Sequence, residues 1–273
     1  MLLGIVAQNG NTHAAYLADE LRTALPSNVG VLIDPATATE LDIDGTPLNE
    51  FKRADLVVSV GGDGTFLFTA REVGPVPIVG VNLGEVGFLN AVSPQHAIEL
   101  IQQEVEQYRE RGTVLYRELN RLQASVDGWT SNPALNEIAV IGPHRGRGGG
   151  IGVELRIDGA LYSGGYADGA LIATPTGSTA YNLSEGGPLV HPTVEAFVAT
   201  EMCANEPMRP LVFHAGASAT IRVDDAESAV VVTDGSSPHE IEPPASIRIE
   251  RANDPVRLAG PPLEFFDALG KLA

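Results

Sequence analysis

A run of apolar residues, Leu56-Val57-Val58-Ser59-Val60, leads straight into Gly61-Gly62-Asp63-Gly64-Thr65 and out through Phe66-Leu67-Phe68-Thr69-Ala70. The first run has the composition of a strand and the last opens like a helix, so the glycines form a strand-to-helix turn. Three glycines around one carboxylate let a ligand come close to the backbone. Consecutive backbone N–H groups and a helix N-terminus favour anions, so the pattern suits a polyphosphate site with Asp63 at its centre. A simpler reading is a tight turn in which Asp63 caps the helix. Both readings commit this part of the chain to a strand-turn-helix unit.

The flanking segments extend that unit into a layered sheet. Residues 3–8 form a first short strand, and Asn11 or Thr12 caps a helix with Ala14, Leu17, Leu21 and Leu25 on one face, ended by Pro26. Val29 to Ile33, Asp55 to Val60 and Pro77 to Val81 read as further strands, with a polar stretch around Thr37 to Asn49 between the first two. Strands alternating with helices predict a parallel sheet whose ligands gather at the carboxyl ends of the strands, where Asp63 stands. The last of these strands opens into Asn82-Leu83-Gly84-Glu85-Val86-Gly87-Phe88-Leu89, a second glycine-bearing loop at the same end. A helix follows from Ser93-Pro94 and closes near Arg111-Gly112.

Beyond Thr113 the period changes. Short β-branched runs bounded by Gly, Asp and Asn recur, among them Leu122 to Val126, Ile138 to Ile141, Ile151 to Ile157, Ala170 to Ala173, Ala219 to Val223 and Ala229 to Val232. Val153-Glu154-Leu155-Arg156-Ile157 alternates with period two and runs into Asp158-Gly159, a hairpin signal. The fold class is therefore an α/β N-terminal domain with a parallel sheet, plus an all-β, sandwich-like C-terminal domain. The expected boundaries are 1–112, 113–258 and a short closing helix within 259–273.

Composition narrows the partners. The chain has 273 residues, 44% of them hydrophobic, enough for two buried cores. It carries 17 basic against 35 acidic residues, a formal charge of −18, and its only lysines are Lys52 and Lys271. Such a surface repels nucleic acid and anionic membranes. Acid dispersed along the chain with almost no lysine is also the composition expected of a protein working in concentrated salt, where screening collapses to a few ångströms. The one cysteine, Cys203, allows no internal disulfide, suits a reducing cytoplasm, and is expected to be a small buried hydrophobe. No apolar run reaches the length of a membrane span, and Met1 to Ala7 reads as a strand rather than a leader.

Several familiar sites are absent: there is no Walker A sequence, no G-x-G-x-x-G after the first strand, no H-E-x-x-H and no G-x-S-x-G. A second unusual stretch is present, Asp168-Gly169 followed by Thr174-Pro175-Thr176-Gly177-Ser178-Thr179-Ala180-Tyr181 and Ser184. Crowded hydroxyls suit hydrogen bonding to ribose and phosphate, and Tyr181 can stack on a base. The alternative is a Ser/Thr-rich loop that caps a helix. Asn136-Glu137 enters a strand with its two side chains on opposite faces. Arg145-Gly146-Arg147 is the local concentration of positive charge, either a hairpin tip or a phosphate contact through Arg147.

Taken together these segments resemble the NAD kinase family. The Gly-Gly-Asp-Gly-Thr turn, the Asn-Leu-Gly-x-x-Gly-Phe-Leu loop, the Asn-Glu pair and the Thr-Pro-Thr-Gly-Ser-Thr-Ala-Tyr octet stand in that family's order and spacing, and the likeness runs to the closing helix. The resemblance implies ATP-dependent phosphorylation of the 2′-hydroxyl of the adenosine ribose of NAD, giving NADP. It implies Asp63 as general base, with Gly61, Gly62, Gly64 and Thr65 on the phosphate side. Asn136, Glu137, Asp168, Thr176, Thr179, Ala180, Tyr181 and Ser184 would contact NAD. It further implies Mg²⁺ or another divalent cation held largely by the nucleotide phosphates, and a homo-oligomer, dimer or tetramer.

Three departures bear on the phosphate donor and the grip on NAD. Phe68 stands where the family often has a basic residue, with Arg71 nearly a helical turn later. Cys203-Ala204-Asn205-Glu206-Pro207 replaces a Cys-Pro-His-Ser-Leu segment, and Ser236 replaces the glutamine that commonly follows Asp-Gly. Two other readings share part of the pattern: a lipid or other small-molecule kinase with the same glycine turn, and a nucleotide-binding paralogue of weak activity.

Overall fold

The computed structural model describes residues 1–84, 87–143, 150–262 and 265–270. Strand β1 (Leu2–Ala7) is followed by helix α1 (Thr12–Ala24), whose N-cap Asn11 accepts the N–H groups of His13 and Ala14. Helix α1 buries Ala14, Leu17, Ala18 and Leu21, the stripe its spacing predicts. Next come β2 (Gly30–Ile33) and α2 (Pro35–Leu41). Helix α2 lies where a polar stretch was expected: Asp34 accepts the N–H groups of Ala36 and Thr37, and Pro35 supplies the first-turn geometry. Strand β3 (Leu56–Gly61) leads into α3 (Asp63–Glu72), then β4 (Ile78–Asn82), α4 (Pro94–Arg111) and β5 (Tyr116–Leu119).

The chain then builds antiparallel strands. These begin with β6 (Leu122–Val126), β7 (Trp129–Thr130), β8 (Glu137–Ile141), β9 (Ile151–Ile157), β10 (Ala160–Ala167) and β11 (Gly169–Ala173). A 3-10 turn over Thr176–Thr179 and the short helix α5 (Tyr181–Ser184) interrupt them. Strands β12 (Ala196–Met202), β13 (Leu211–His214), β14 (Ala219–Asp224), β15 (Ala229–Thr233), β16 (Ser236–Ile241) and β17 (Ala245–Arg251) complete the series. Strand β18 (Val256–Ala259) and helix α6 (Phe265–Gly270) close the described chain.

Two compact units result, Met1–Leu119 with Pro255–Ala273, and Asn120–Asp254. The first holds a sheet of order β2-β1-β3-β4-β18-β5, parallel except for the β18–β5 pair. Strands β5 and β18 therefore belong to the first unit, so its edges fall at Leu119 and Pro255 rather than at 112 and 258. Both are four-residue segments, β5 at the sheet's edge and β18 beside it, and they pair with each other across a long stretch of sequence, which a local pattern does not reveal.

The second unit holds two sheets, β10-β9-β14-β17-β6-β7 and β13-β12-β11-β8-β15-β16. Alternate residues of the first, including Ile151, Val153, Leu155, Ile221 and Ile247, share one core with Ile138, Val140, Ile172, Phe197 and Val231 of the second. That is the expected sandwich. Strand β11 is buried along its whole length, because its other face, Leu171 and Ala173, packs with Val190, Val198 and Tyr181. The segment after β11 thus lies over an apolar sheet face. Cys203 corrects an expectation: it is exposed, because β12 ends at Met202 and Cys203 takes the turn beyond it with φ +49°.

Candidate active site

In the first unit, β3 delivers the glycine turn to the carboxyl edge of the parallel sheet. Gly62, not Asp63, is the N-cap of α3, and Asp63 is the helix's first residue. Its carboxylate therefore caps nothing and turns to the neighbouring loop. Asp63 Oδ2 accepts the Phe88 N–H at 3.0 Å, and Oδ1 accepts the Leu89 N–H at 3.1 Å and the Asn90 side-chain amide at 3.0 Å. The Leu83 N–H donates to the Gly61 carbonyl at 3.1 Å, so the two glycine-bearing loops are tied together. A carboxylate offers about four acceptor positions, and three donors leave room for one more proton.

The glycines of the turn differ in what they do. A Cβ on Gly61 would lie 2.4 Å from Thr65 Oγ1, so Gly61 is required by packing against the helix it introduces. Gly62 and Gly64 would meet no atom within 4 Å, and neither has a positive φ. The fold does not need glycine at these two positions, whereas a ligand lying against the backbone would. Beside the turn, a cavity of about 640 Å³ is lined by residues that include His13, Asn82, Gly84, Phe88, Asn90, Gln95 and Phe265.

In the second unit, the octet and the Asn-Glu pair form one hydrogen-bonded body. The Thr174 hydroxyl donates to the Leu135 carbonyl at 2.5 Å, and the Thr174 N–H donates to the Asn136 carbonyl at 2.8 Å. Gly177 lies so close that a Cβ there would sit 2.0 Å from the Asn136 oxygen. Ser178 Oγ donates to the Pro175 carbonyl at 2.6 Å and accepts the Val190 N–H at 3.0 Å. Asn182 donates to the Pro188 carbonyl at 3.1 Å and accepts the Thr200 hydroxyl at 2.9 Å. Half the octet is thus spent on holding the turn, although no side chain caps the 3-10 turn or α5.

The remainder faces other uses. Thr176 and Thr179 are half-buried in the 3-10 turn, Ala180 precedes α5, and Ser184 is exposed at its end. Glu137 is only 6% exposed, and its Oε2 is buried with no hydrogen-bond partner. Burial first, and the nearby Asp234 charge second, push its carboxyl up to about 8, against the Tyr181 N–H that stabilises the charged form. Asp168 is not brought to this cluster. It precedes Gly169 while Ala173 pairs with Glu137, so roughly 15 Å of β11 separates the two carboxylates. Arg147 lies outside the described residues. Asn90 and Asp234 hold the site residues in place without having drawn attention in the sequence.

A carboxylate fixed at the carboxyl rim of a parallel sheet, between glycines that leave the backbone open, defines a phosphotransferase of the glycine-turn class rather than a P-loop enzyme. Family models agree: the ATP-NAD kinase N-terminal domain matches residues 4–108 and the ATP-NAD kinase C-terminal domain matches residues 135–260. The chain is 53% identical to an NAD kinase of Natronomonas pharaonis over 272 residues, covering 100% of both. It is 52% identical to an NAD kinase of Halobacterium salinarum over 281 residues, again covering 100% of both. Both relatives come from halophilic archaea. Among solved structures, an NAD kinase from Archaeoglobus fulgidus in complex with ATP is similar at 28% identity and a TM-score of 0.78, covering 100% of this chain and 98% of the other. The chain belongs to the ATP-NAD kinase family.

Proposed function

We propose that this enzyme transfers the terminal phosphoryl group of ATP, or of another polyphosphate, to the 2′-hydroxyl of the adenosine ribose of NAD. The hydroxyl oxygen bonds to phosphorus, the bond from phosphorus to the bridging oxygen breaks, and the hydroxyl proton passes to Asp63. The observation that carries this reading is the Asp63 carboxylate, oriented by three donors in the family's glycine turn. A ribose hydroxyl is a weak acid, so proton removal accompanies attack rather than preceding it. Gly62 and Gly64 leave backbone free for phosphate. Asn136, Glu137, Asp168 and Tyr181 hold NAD, with Thr176, Thr179, Ala180 and Ser184 adding backbone and hydroxyl contacts, and Arg147 is kept as a phosphate contact.

The donor set fits a divalent cation that arrives with the polyphosphate. Among the described residues no group of three or more His, Cys, Asp or Glu could hold a metal, and Asp63 is the turn's one carboxylate. Mg²⁺ commonly binds mainly through substrate phosphates, so the polyphosphate would hold it and the remaining acceptor position of Asp63 stays open for the proton. When bound, the cation neutralises phosphate charge.

Among the described residues no helix is long and apolar enough to cross a membrane. A cytoplasmic location and a dimer or tetramer complete the reading, the latter supported by exposed Leu183, Leu189, Val194 and Val212 in the second unit. The acid excess and the relatives' source support work in concentrated salt. Equal stability at low and at multimolar salt would contradict that part.

The test is NADP formation with ATP or polyphosphate as donor and NAD or NADH as acceptor. Turnover of NAD with at least one donor supports the reading. Phosphorylation of diacylglycerol but not NAD would overturn it, and tight NAD binding without product under every donor would point to the weakly active paralogue.

A further inference from the structure

Asn136 and Glu137 stand at the entry to β8, where the chain does not run as a regular strand. In a strand, successive N–H groups point to opposite sides. Here three consecutive ones converge on a single carboxylate. Asp234 Oδ2 accepts the Leu135 N–H at 2.8 Å, and Oδ1 accepts the N–H groups of Asn136 at 2.7 Å and Glu137 at 3.2 Å. The Asp234 N–H returns to the Glu137 carbonyl at 3.0 Å.

The anchor is itself rigid. Asp234 and Gly235 join β15 to β16 in a two-residue turn with φ +46° and +64°, as a type I′ hairpin demands, and Thr233 pairs with Ser236 across it. On the other side, the carbonyls of Leu135 and Asn136 accept from Thr174. The backbone of the tripeptide is thus held through its N–H groups by Asp234 and through its carbonyls by the end of β11. Glu137 Oε2 remains buried without a partner. Burial pushes the Asp234 carboxyl up, and the three N–H groups and then the Arg121 charge act against that rise.

From this geometry we infer that Asp234 is a positioning residue for NAD binding: it fixes the curl of Leu135–Glu137, and so the placement of the Asn136 and Glu137 side chains. The inference rests on the reading of that pair as NAD contacts. Asp234 touches neither substrate nor the reacting atoms in this scheme. Its loss leaves three inward-facing N–H groups without their acceptor and lets the curl relax.

The experiment compares Asp234→Asn and Asp234→Ala with Asp158→Asn in the full-length enzyme. Asp158 is a matched control, an Asp-Gly hairpin residue with φ +48° in the same unit whose carboxylate accepts the Ser218 N–H instead. Asn keeps one acceptor oxygen, so its defect should be the smaller. The expected result is a KM for NAD raised about tenfold in Asp234→Asn and further in Asp234→Ala, with the KM for ATP and kcat within about threefold of the parent. Amide hydrogen exchange at residues 135–137 should rise in the same order, and Asp158→Asn should change neither. If Asp234→Ala does not fold, Asp234→Asn alone decides.

An unchanged KM for NAD in folded Asp234→Asn would overturn the inference, as would parallel rises in the KM values for NAD and ATP or an equal effect in Asp158→Asn. Asn136→Ala and Glu137→Gln separate the two levels. If both bind NAD normally, the underlying reading fails; if they bind it weakly while Asp234→Asn binds it normally, only the positioning role fails.

Discussion

The two carboxylates on which the proposed function turns, Asp63 and Glu137, sit in different units and are held in opposite ways. Asp63 stands at the rim of a parallel sheet, where loops converge, and three donors from residues 88–90 surround its charge. Glu137 opens a strand of the second unit on the face that carries Ala139 and Tyr181, buried, with a second carboxylate, Asp234, nearby. A parallel sheet gathers loop N–H groups at its carboxyl ends, where they orient a half-buried charge. A sandwich buries what its strands carry and penalises the charged form. The first environment fixes the direction of a carboxylate, and the second favours a neutral acid.

That contrast can be broken most forcefully at Gly177. The Cβ of Gly177→Ala would sit 2.0 Å from the Asn136 oxygen, backbone that cannot rotate away. We expect a loss of at least ~3 kcal/mol in thermal or denaturant unfolding, with NAD affinity falling and ATP affinity unchanged in whatever folds. Unaltered stability would mean that the octet and the Asn-Glu pair are not packed as one body.

A graded effect separates Glu137 by pH. Its folded carboxyl titrates near 8 against an ordinary 4.5, so between those values the folded chain holds a proton that the unfolded chain has released. Its contribution to stability is therefore complete below pH 4.5 and is lost as pH rises towards 8. Glu137→Gln carries no such proton, so the variant should gain on the parent as pH rises, by up to about 5 kcal/mol at pH 8.5 and by almost nothing at pH 4.5. A stability difference that does not vary with pH would remove the buried-acid description.

The finest test lies within the glycine turn. Gly61→Ala should cost about 1–2 kcal/mol because Thr65 must move, whereas Gly62→Ala should change stability by less than ~0.5 kcal/mol. If phosphate lies against the open backbone, Gly62→Ala nevertheless raises the KM for ATP, by roughly tenfold. Identical behaviour of the two variants would erase the distinction between packing glycine and binding glycine.

Much of this organisation is legible in the chain itself. The strand, turn and helix around Asp63, the switch to period two beyond Thr113 and the Asp158-Gly159 hairpin are local patterns, and local patterns suffice for them. The octet was also conspicuous, but its labour was not: Thr174, Ser178 and Asn182 hold the turn, and only the neighbouring residues remain for a ligand. What stayed hidden depends on long separations. Asp234 lies 97 to 99 positions from the N–H groups it accepts, and its sequence signal is that of an ordinary Asp-Gly hairpin. Strands β5 and β18 find each other from opposite ends of the second unit. Asp168 looks adjacent to the octet, yet a fully extended strand carries it to the far end of the sheet.

The proposed role of Asp63 is tested most directly by measuring kcat and the NAD dissociation constant for Asp63→Asn beside the parent. A general base contributes about 10²- to 10⁴-fold, so kcat should fall by that order while NAD affinity stays within about threefold. An undiminished kcat would contradict the role of Asp63 outright.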